Sequence, residues 1–213
     1  MRNTLIPLLI IAASSIVYSQ IELRGGMGID FASTPSLKDY INQIVGTELL
    51  GSFNSAIVFS GEADYYLNEN FSSGIDAGYL INSYTSIDDL GKYEFSYNIL
   101  SLSVMGYYVI TGEGYHFKFG GGIGPRFVSA DESLPGTAST MTYRSTGFGI
   151  IIRADGNTLL SGRVYANIGA DIKYDFNGEP SNNGNHLVNL IIPENVSLNS
   201  LSFGVRLGVS YLF

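Results

Sequence analysis

Few side chains in this 213-residue sequence are suited to catalysis. The chain has no cysteine, and its two histidines are His116 and His186. Nucleophilic catalysis needs a nucleophile beside a base, and a third group that orients the base. The sequence has no Gly-x-Ser-x-Gly motif and no serine two residues from a histidine. We therefore predict that the protein is not an enzyme.

Two other patterns were weighed as chemical sites. Glu62 and Asp64 lie two residues apart, and paired carboxylates can carry out acid–base catalysis. Other segments carry arginine on their polar faces. Structural salt bridges to these arginines are therefore a simpler interpretation of Glu62 and Asp64 than catalysis. The glycines of Gly120–Gly124 lack the Lys-Ser/Thr that follows a phosphate-binding loop, so they indicate strand packing. We expect no cofactor and no metal.

The elements that position these residues are segments that alternate between apolar and polar side chains. In Leu201–Phe213 every odd position is large and apolar, and the even positions up to Ser210 are small, polar or charged. Such a period of two predicts a β-strand long enough to cross a bilayer when tilted. Seven other segments share the pattern: Ile21–Phe31, Phe53–Leu67, Phe71–Ser86, Phe95–Ile110, Tyr115–Ala130, Thr140–Ala154 and Arg163–Phe176.

Short and long connections alternate between these segments. Asn68–Asn70, Thr111–Gly114 and Asp155–Asn157 are predicted tight turns, and the other connections are longer. The first long connection has apolar residues at helical spacing from Leu37 to Ile44, which predicts a short amphipathic helix. The whole pattern predicts an all-β fold, an eight-stranded antiparallel up-and-down transmembrane β-barrel with short periplasmic turns and longer extracellular loops.

The N-terminus has the features of a secretory signal peptide. A basic start at Met1–Asn3 precedes an apolar run from Leu5 to Val17, and small or neutral residues follow it. We predict cleavage between Ser19 and Gln20, which leaves residues 20–213 as the barrel. The alternative, an anchor helix, needs a run of about 20 apolar residues, and this run is shorter.

The signal, the eight segments and the terminal Ser210-Tyr211-Leu212-Phe213 together resemble the small eight-stranded outer-membrane barrels of the OmpA/OmpX type. The resemblance covers essentially the whole mature chain and concerns architecture. It implies a location in the bacterial outer membrane, and insertion by the barrel-assembly machinery. That machinery would read the last strand, with Tyr211 and Phe213 as its assembly signal. It does not imply one activity, because a fold does not determine function.

The polar face of each segment is assigned to the barrel lumen, which gives a count of inward charges. Seven acids and seven bases are expected to face inward, in a structural charge network: Glu22, Asp30, Glu62, Asp64, Asp76, Asp171 and Asp175, with Arg24, Lys118, Arg126, Arg153, Arg163, Lys173 and Arg206. Buried charges must be paired, and the interior of a small barrel is filled by side chains. We therefore expect a plugged, salt-bridged lumen and a structural or surface-interaction role.

The expected mature chain carries 19 acids and 10 bases, so a balanced lumen leaves the acidic excess in loops and turns, Glu132 among them. This composition argues against nucleic-acid binding. The expected partners are outer-membrane lipid and the assembly machinery, and an extracellular ligand of the acidic loops is left open. Tyr and Phe are expected to form both interfacial girdles. The expected residues are Tyr65, Tyr108, Tyr211 and Phe213 at the periplasmic end, and Phe31, Tyr97, Tyr174 and Phe176 at the outer end.

The sequence is compatible with two alternative functions. A conduit for small apolar molecules would need an apolar lumen and a lateral opening. A soluble exported lipocalin-like carrier would turn its apolar faces inward around a cavity. The face that carries Arg24, Glu62, Arg126 and Arg206 distinguishes the lipocalin from the membrane barrel.

Overall fold

The computed structural model describes residues 21–46, 50–88, 91–137, 139–189 and 193–213. The predicted signal peptide and its cleavage site lie outside the described residues. The elements in chain order are β1 (Ile21–Ser33), α1 (Pro35–Val45), β2 (Asn54–Asn68), β3 (Phe71–Asp88), β4 (Gly91–Gly112), β5 (Tyr115–Ser133), β6 (Thr140–Ser161), β7 (Val164–Phe176), β8 (Ser181–Asn182), β9 (Asn185–His186) and β10 (Ser200–Leu212).

Eight of these strands, β1 to β7 and β10, form a closed antiparallel ring. Each of β1 to β6 pairs with the next strand along the chain, and β10 pairs with both β7 and β1. The seam between the first and last strands is in full register, with Met27 opposite Leu207. The predicted up-and-down barrel is confirmed.

The outer surface of the barrel is apolar. Ile75, Val104, Ile152 and Leu207 are each at least 60% exposed, although they lie in the middle of strands. Arg126 and Glu62 are buried inside. This is the reverse of the arrangement that a lipocalin-like carrier requires, so that alternative is wrong. Within the part of the chain that the structure describes, no helix is long and apolar enough to span a membrane.

The two ends of the barrel differ. At one end, here called the turn end, three two-residue turns join β2 to β3, β4 to β5 and β6 to β7. At the other, the loop end, β3 to β6 continue beyond their neighbours as a four-stranded extension. The pairing of β2 with β3 stops at Ile81, whereas β3 reaches Asp88. The sequence predicts segments that end at Ser86 and begin again at Phe95, with a polar loop between them. These bounds are wrong, because β3 and β4 run through most of that loop.

The helix α1 covers the lumen at the loop end. It begins at Pro35, whose fixed φ suits the first turn, and ends where Gly46 adopts a left-handed conformation (φ 69°). The predicted helix is confirmed. Its buried residues Leu37, Tyr40 and Ile41 pack into an apolar cluster with side chains from the inner face of the extension and the last connection: Tyr93, Phe95, Tyr97, Ile99, Val128, Ala130, Tyr143, Leu187, Val196 and Leu198.

Tyr97 belongs to this internal cluster and is 3% exposed, so its prediction as a girdle residue is wrong. Tyr97 is two residues from both Phe95 and Ile99, so it faces inward as they do, whereas Leu100 and Leu102 face outward. The other predicted girdle residues are exposed on the outer surface: Phe31, Tyr65, Tyr108, Tyr174, Phe176, Tyr211 and Phe213.

Candidate charge network in the barrel lumen

All the predicted lumen residues except Arg163 face the interior. Arg163 is exposed in the turn between β6 and β7, next to Gly162, which has a φ of 56°. The sequence predicts this turn at Asp155–Asn157, but β6 continues to Ser161. The prediction of Arg163 as an inward base is wrong because the preceding turn was placed too early.

Because the predicted turn was too early, Asp155 was missed as a lumen residue. It is buried inside the barrel and 4% exposed. Below the residues that contact α1, the lumen therefore contains eight carboxylates among the described residues: Glu22, Asp30, Glu62, Asp64, Asp76, Asp155, Asp171 and Asp175. Six bases face them: Arg24, Lys118, Arg126, Arg153, Lys173 and Arg206. The expected balance of seven against seven is wrong, and acids exceed bases by two.

A first group, here called the turn-end cluster, consists of Glu22, Arg24, Asp64, Lys118 and Asp155. The ammonium of Lys118 donates 2.6 Å hydrogen bonds to both Glu22 Oε2 and Asp64 Oδ2. Arg24 Nη1 lies 2.7 Å from Asp155 Oδ2. These contacts join strands on opposite sides of the barrel, so the cluster spans the lumen at this level.

Two rings border the turn-end cluster. The Tyr66 hydroxyl donates a 2.7 Å hydrogen bond to Glu22 Oε2, and His116 Nε2 lies 3.6 Å from the same oxygen. His116 also contacts Tyr165 edge to face, with ring centroids 5.0 Å apart. Oε2 of Glu22 therefore accepts hydrogen bonds from both Tyr66 and Lys118, whereas its Oε1 has no hydrogen-bond partner among the described residues.

A second group, the middle cluster, consists of Asp30, Glu62, Asp76, Arg153, Asp171, Lys173 and Arg206. Arg153 Nη1 donates to both Glu62 Oε2 at 2.5 Å and Asp76 Oδ1 at 2.8 Å. Arg206 Nε lies 2.6 Å from Asp171 Oδ2. Lys173 Nζ binds Asp30 and lies 3.6 Å from Asp171. This cluster crosses the lumen between β2, β3, β6, β7 and β10.

A third element, the loop-end pair, joins Arg126 to Asp175. Arg126 Nε donates a 2.6 Å hydrogen bond to Asp175 Oδ1. Its Nη1 donates to Ser103 Oγ and to the carbonyl of Gly124, both at 3.1 Å. Neighbouring Gly149 leaves room for the pair, since a Cβ there would overlap both Arg126 Nε and Asp175 Oδ1.

Little space is left between these side chains. A cavity of about 20 Å³ lies in the middle of the lumen, bordered by Arg24, Glu62, Arg153, Asp155 and Arg206 among others. It has room for about one water molecule. A larger cavity of about 780 Å³ lies at the turn end and is bordered by Tyr66, His116 and Tyr165. None of the lumen acids and bases named above borders this larger cavity.

Glu132 occupies a different environment from the solvated loop predicted for it. It is 2% exposed, and its Oε1 accepts hydrogen bonds from the hydroxyls of Tyr40 at 2.8 Å and Tyr93 at 3.1 Å. Burial raises the pKa of this carboxyl, and the two hydroxyl donors oppose that rise. The sequence does contain a signal for this burial. Glu132 is an even number of residues from Arg126 and Val128, so it lies on the same inward face of the strand.

The structure does not assemble a catalytic site from the candidates. His116 lies at the turn end and His186 lies in β9 at the loop end. Glu62 and Asp64 are engaged with Arg153 and Lys118. Over the described residues, no group of three or more His, Cys, Asp or Glu side chains is arranged to hold a metal ion.

The closed ring, apolar outside and charged inside, has the fold of the small eight-stranded outer-membrane β-barrels. It is similar to the crystal structure of Neisserial surface protein A, with a TM-score of 0.54 and 13% identity over 91% of this chain and 97% of that one. Ail, the attachment invasion locus protein of Yersinia pestis, solved with the heparin analogue sucrose octasulfate, has a TM-score of 0.54 and 12% identity over 92% and 99%.

A major outer-membrane protein of Thermus thermophilus is a further match, with a TM-score of 0.51 and 15% identity over 92% of this chain and 99% of that one. At these identities the likeness concerns the fold alone. No protein-family model matches the chain, and no curated protein matches it.

Proposed function

We propose that this protein is a bacterial outer-membrane barrel with a closed, salt-bridged lumen, and that it acts as a structural or surface-interaction protein. The observation that carries this proposal is the set of ion pairs that cross the lumen at successive levels. Lys118 bridges Glu22 and Asp64, Arg153 bridges Asp76 and Asp171, and both bases are buried.

The apolar outer surface supports the membrane location. In lipid every backbone polar group must be paired, and the closed ring of strands satisfies that requirement. The turn end would face the periplasm and the loop end the cell exterior. A cleaved signal peptide over residues 1–19 would direct export. Cell fractionation, with a gel that compares heated and unheated samples, tests this, and a soluble periplasmic protein would contradict it.

Single-channel recording in planar bilayers tests the closed lumen. Opening a path would break buried ion pairs, and leaving one buried charge unpaired costs about 3–5 kcal/mol. We therefore expect no steady ion-selective openings from the folded barrel. A double variant, Glu62→Ala with Arg153→Ala, removes both partners of one bridge and serves as the control that should leak. Steady openings of the native barrel would contradict the proposal.

A conduit for small apolar molecules is less well supported. Every neighbouring pair of barrel strands is hydrogen-bonded, so no lateral opening is present among the described residues. The apolar part of the lumen at the loop end is filled by Leu37 and Ile41 of α1. Entry of a fluorescent apolar solute into liposomes that contain the barrel, faster than into empty liposomes, would favour the conduit.

The extension of β3 to β6 supports a surface-interaction role. Beyond Ile81 its β3 edge has no partner from β2 in the described pairing, so its backbone is available to an extended peptide. Exposed acids lie at the same end of the barrel, among them Asp39, Glu94, Glu179 and Glu194. A cationic extracellular partner fits this surface better than a polyanion of the kind solved with Ail. Vesicle binding of an oligolysine peptide, compared with sucrose octasulfate, tests the preference.

We also propose that Tyr211 and Phe213 form the signal read by the barrel-assembly machinery. Both are exposed on the outer surface, with ring centroids 4.7 Å apart, and the Phe213 N–H donates to the Ile21 carbonyl. Phe213→Ala should lower the fraction of protein in the outer membrane. Phe203→Ala is the matched control, because Phe203 is also exposed on β10 but near its other end. Equal losses in both variants would contradict the assignment.

A further inference from the structure

The excess of two acids is divided between the clusters in a definite way. The loop-end pair is balanced, with one acid and one base. The turn-end cluster has three acids and two bases, and the ring of His116 lies beside Glu22. The middle cluster has four acids, Asp30, Glu62, Asp76 and Asp171, against three bases, Arg153, Lys173 and Arg206.

We propose that the middle cluster binds one proton at neutral pH and that Glu62 carries it as a neutral carboxylic acid. An isolated charge inside a protein is strongly disfavoured, and the group becomes neutral instead. This inference concerns the charge state of the lumen and goes beyond the proposed function of the barrel.

Three observations select Glu62 within the middle cluster. It lies directly opposite Asp76 in the pairing of β2 with β3, and like charges at such positions destabilise a sheet. The one close cation of Glu62 is Arg153, whose Nη1 is shared with Asp76. Arg24 is 4.0 Å from Glu62 but makes its close contact with Asp155.

Glu62 has one cation within 3.7 Å, although Arg24 lies opposite it on β1 at 4.0 Å. Asp76 has two, since Arg206 lies within 3.7 Å in addition to Arg153. Asp171 has Arg206, Arg153 and Lys173 within 3.6 Å. Asp30 has Lys173 alone, but the residues opposite it on the neighbouring strands are Ala56 and Gly204, so no second acid faces it. The charged and titratable groups that face Glu62 from the surrounding strands are Arg24, Asp64, Asp76, Tyr107, Arg153, Asp155, Asp171 and Arg206.

The surroundings of Glu62 suit a proton better than a metal cation. Its Oε1 is buried and has no hydrogen-bond partner, and the side chain borders the central cavity of about 20 Å³. A carboxylic O–H could donate there to one water molecule. Arg24, Arg153 and Arg206 border the same cavity, and three guanidinium groups would repel a metal cation.

Infrared spectroscopy of the barrel refolded in phosphatidylcholine vesicles tests the proposal at pH 7. A protonated carboxylic acid has its own carbonyl band, which shifts in D₂O. Glu132 is a second buried carboxyl group whose protonated form is favoured by burial, so Glu132→Gln serves as the background for this test. We expect the band in the Glu132→Gln barrel and its loss when Glu62→Gln is added. Glu62→Asp on the same background should keep a band, because it retains the acid. A Glu132→Gln barrel without the band, or a Glu132→Gln/Glu62→Gln barrel that keeps it, would overturn the proposal.

Thermal unfolding on the same samples gives an independent readout. Glutamine has the shape of a protonated glutamic acid, so Glu62→Gln should fold and unfold at nearly the native temperature. The matched control is Asp175→Asn, which removes the carboxylate that pairs with Arg126 and should lower that temperature. A Glu62→Gln barrel that fails to fold, or that loses as much stability as the control, also counts against a neutral Glu62.

Discussion

The hydroxyl of Tyr40 donates a 2.8 Å hydrogen bond to Glu132 Oε1, and this bond joins α1 to the inner face of β5. Tyr93 donates to the same oxygen from β4. The helix that covers the lumen is therefore fixed to the barrel wall by one buried carboxyl group as well as by apolar packing. Two predictions follow from the environment of Glu132.

Tyr40→Phe removes one hydrogen bond and keeps the ring in its apolar cluster. We expect α1 to open more readily, by about 1–2 kcal/mol, because the carboxyl of Glu132 loses one of its two donors. Hydrogen exchange of the α1 amides in the folded barrel measures this. Tyr115→Phe is the control, since Tyr115 is 45% exposed on the outer surface. Equal exchange in native and Tyr40→Phe barrels would show that the bond does not hold the helix.

Glu132 should make the attachment of α1 depend on pH. Burial raises the pKa of its carboxyl, so the closed form binds a proton more tightly than the open form does. Protonated Glu132 therefore stabilises the attachment of α1. This stabilisation is complete below the ordinary pKa of a glutamic acid and is lost as pH rises through the raised pKa of Glu132. Tyr40, Tyr93 and Tyr143 are the titratable groups around it. Amide exchange in α1, corrected for its intrinsic pH dependence, should speed up with pH, and Glu132→Gln should remove that trend.

Arg153→Met and Arg163→Met form a matched pair. Arg153 is buried among Glu62, Asp76 and Asp171, and its loss removes a cation that these three carboxyl groups share, at a cost of about 3–5 kcal/mol. Arg163 is exposed in a turn, so its replacement should leave stability unchanged. Urea unfolding followed by gel mobility compares them. Similar losses would place Arg163 in the lumen, as first expected from the sequence.

Gly149→Ala should destabilise the barrel, whereas Gly106→Ala should not. A Cβ at Gly149 would overlap Asp175 Oδ1 and Arg126 Nε, inside a buried ion pair. Overpacking of this kind costs about 1–3 kcal/mol. At Gly106 no atom lies within 4 Å of the added carbon. The same urea assay separates the two, and a stable Gly149→Ala barrel would show that the pair can move aside.

Strand parity made most of the lumen predictable from the sequence. Side chains alternate across a strand, so each segment with an apolar face assigns its other face to the interior. Parity alone says nothing about partners across the lumen. That Lys118 would bridge Glu22 and Asp64 depends on the register of three strands and on side chains long enough to cross the barrel.

The errors arose where turn residues and inward residues look alike. The inner face of a small barrel favours small and polar side chains, so Asp155-Gly156-Asn157 reads as a turn although it continues β6. That misplacement removed Asp155 from the lumen and added Arg163. Glu132 was assigned to a loop for the same reason, although its parity with Arg126 was visible in the sequence.

The seam between β1 and β10 has a consequence for how the protein reaches its native state. Met27 and Leu207 face each other there, although nearly the whole sequence separates them. Before the seam closes, both strands present rows of unpaired amides and carbonyls, each of which costs several kcal/mol in hydrocarbon. A partly assembled ring is therefore unstable in a bilayer. Insertion and folding should be one cooperative event, and a chain deprived of β10 should be left to proteases rather than persist as a smaller barrel.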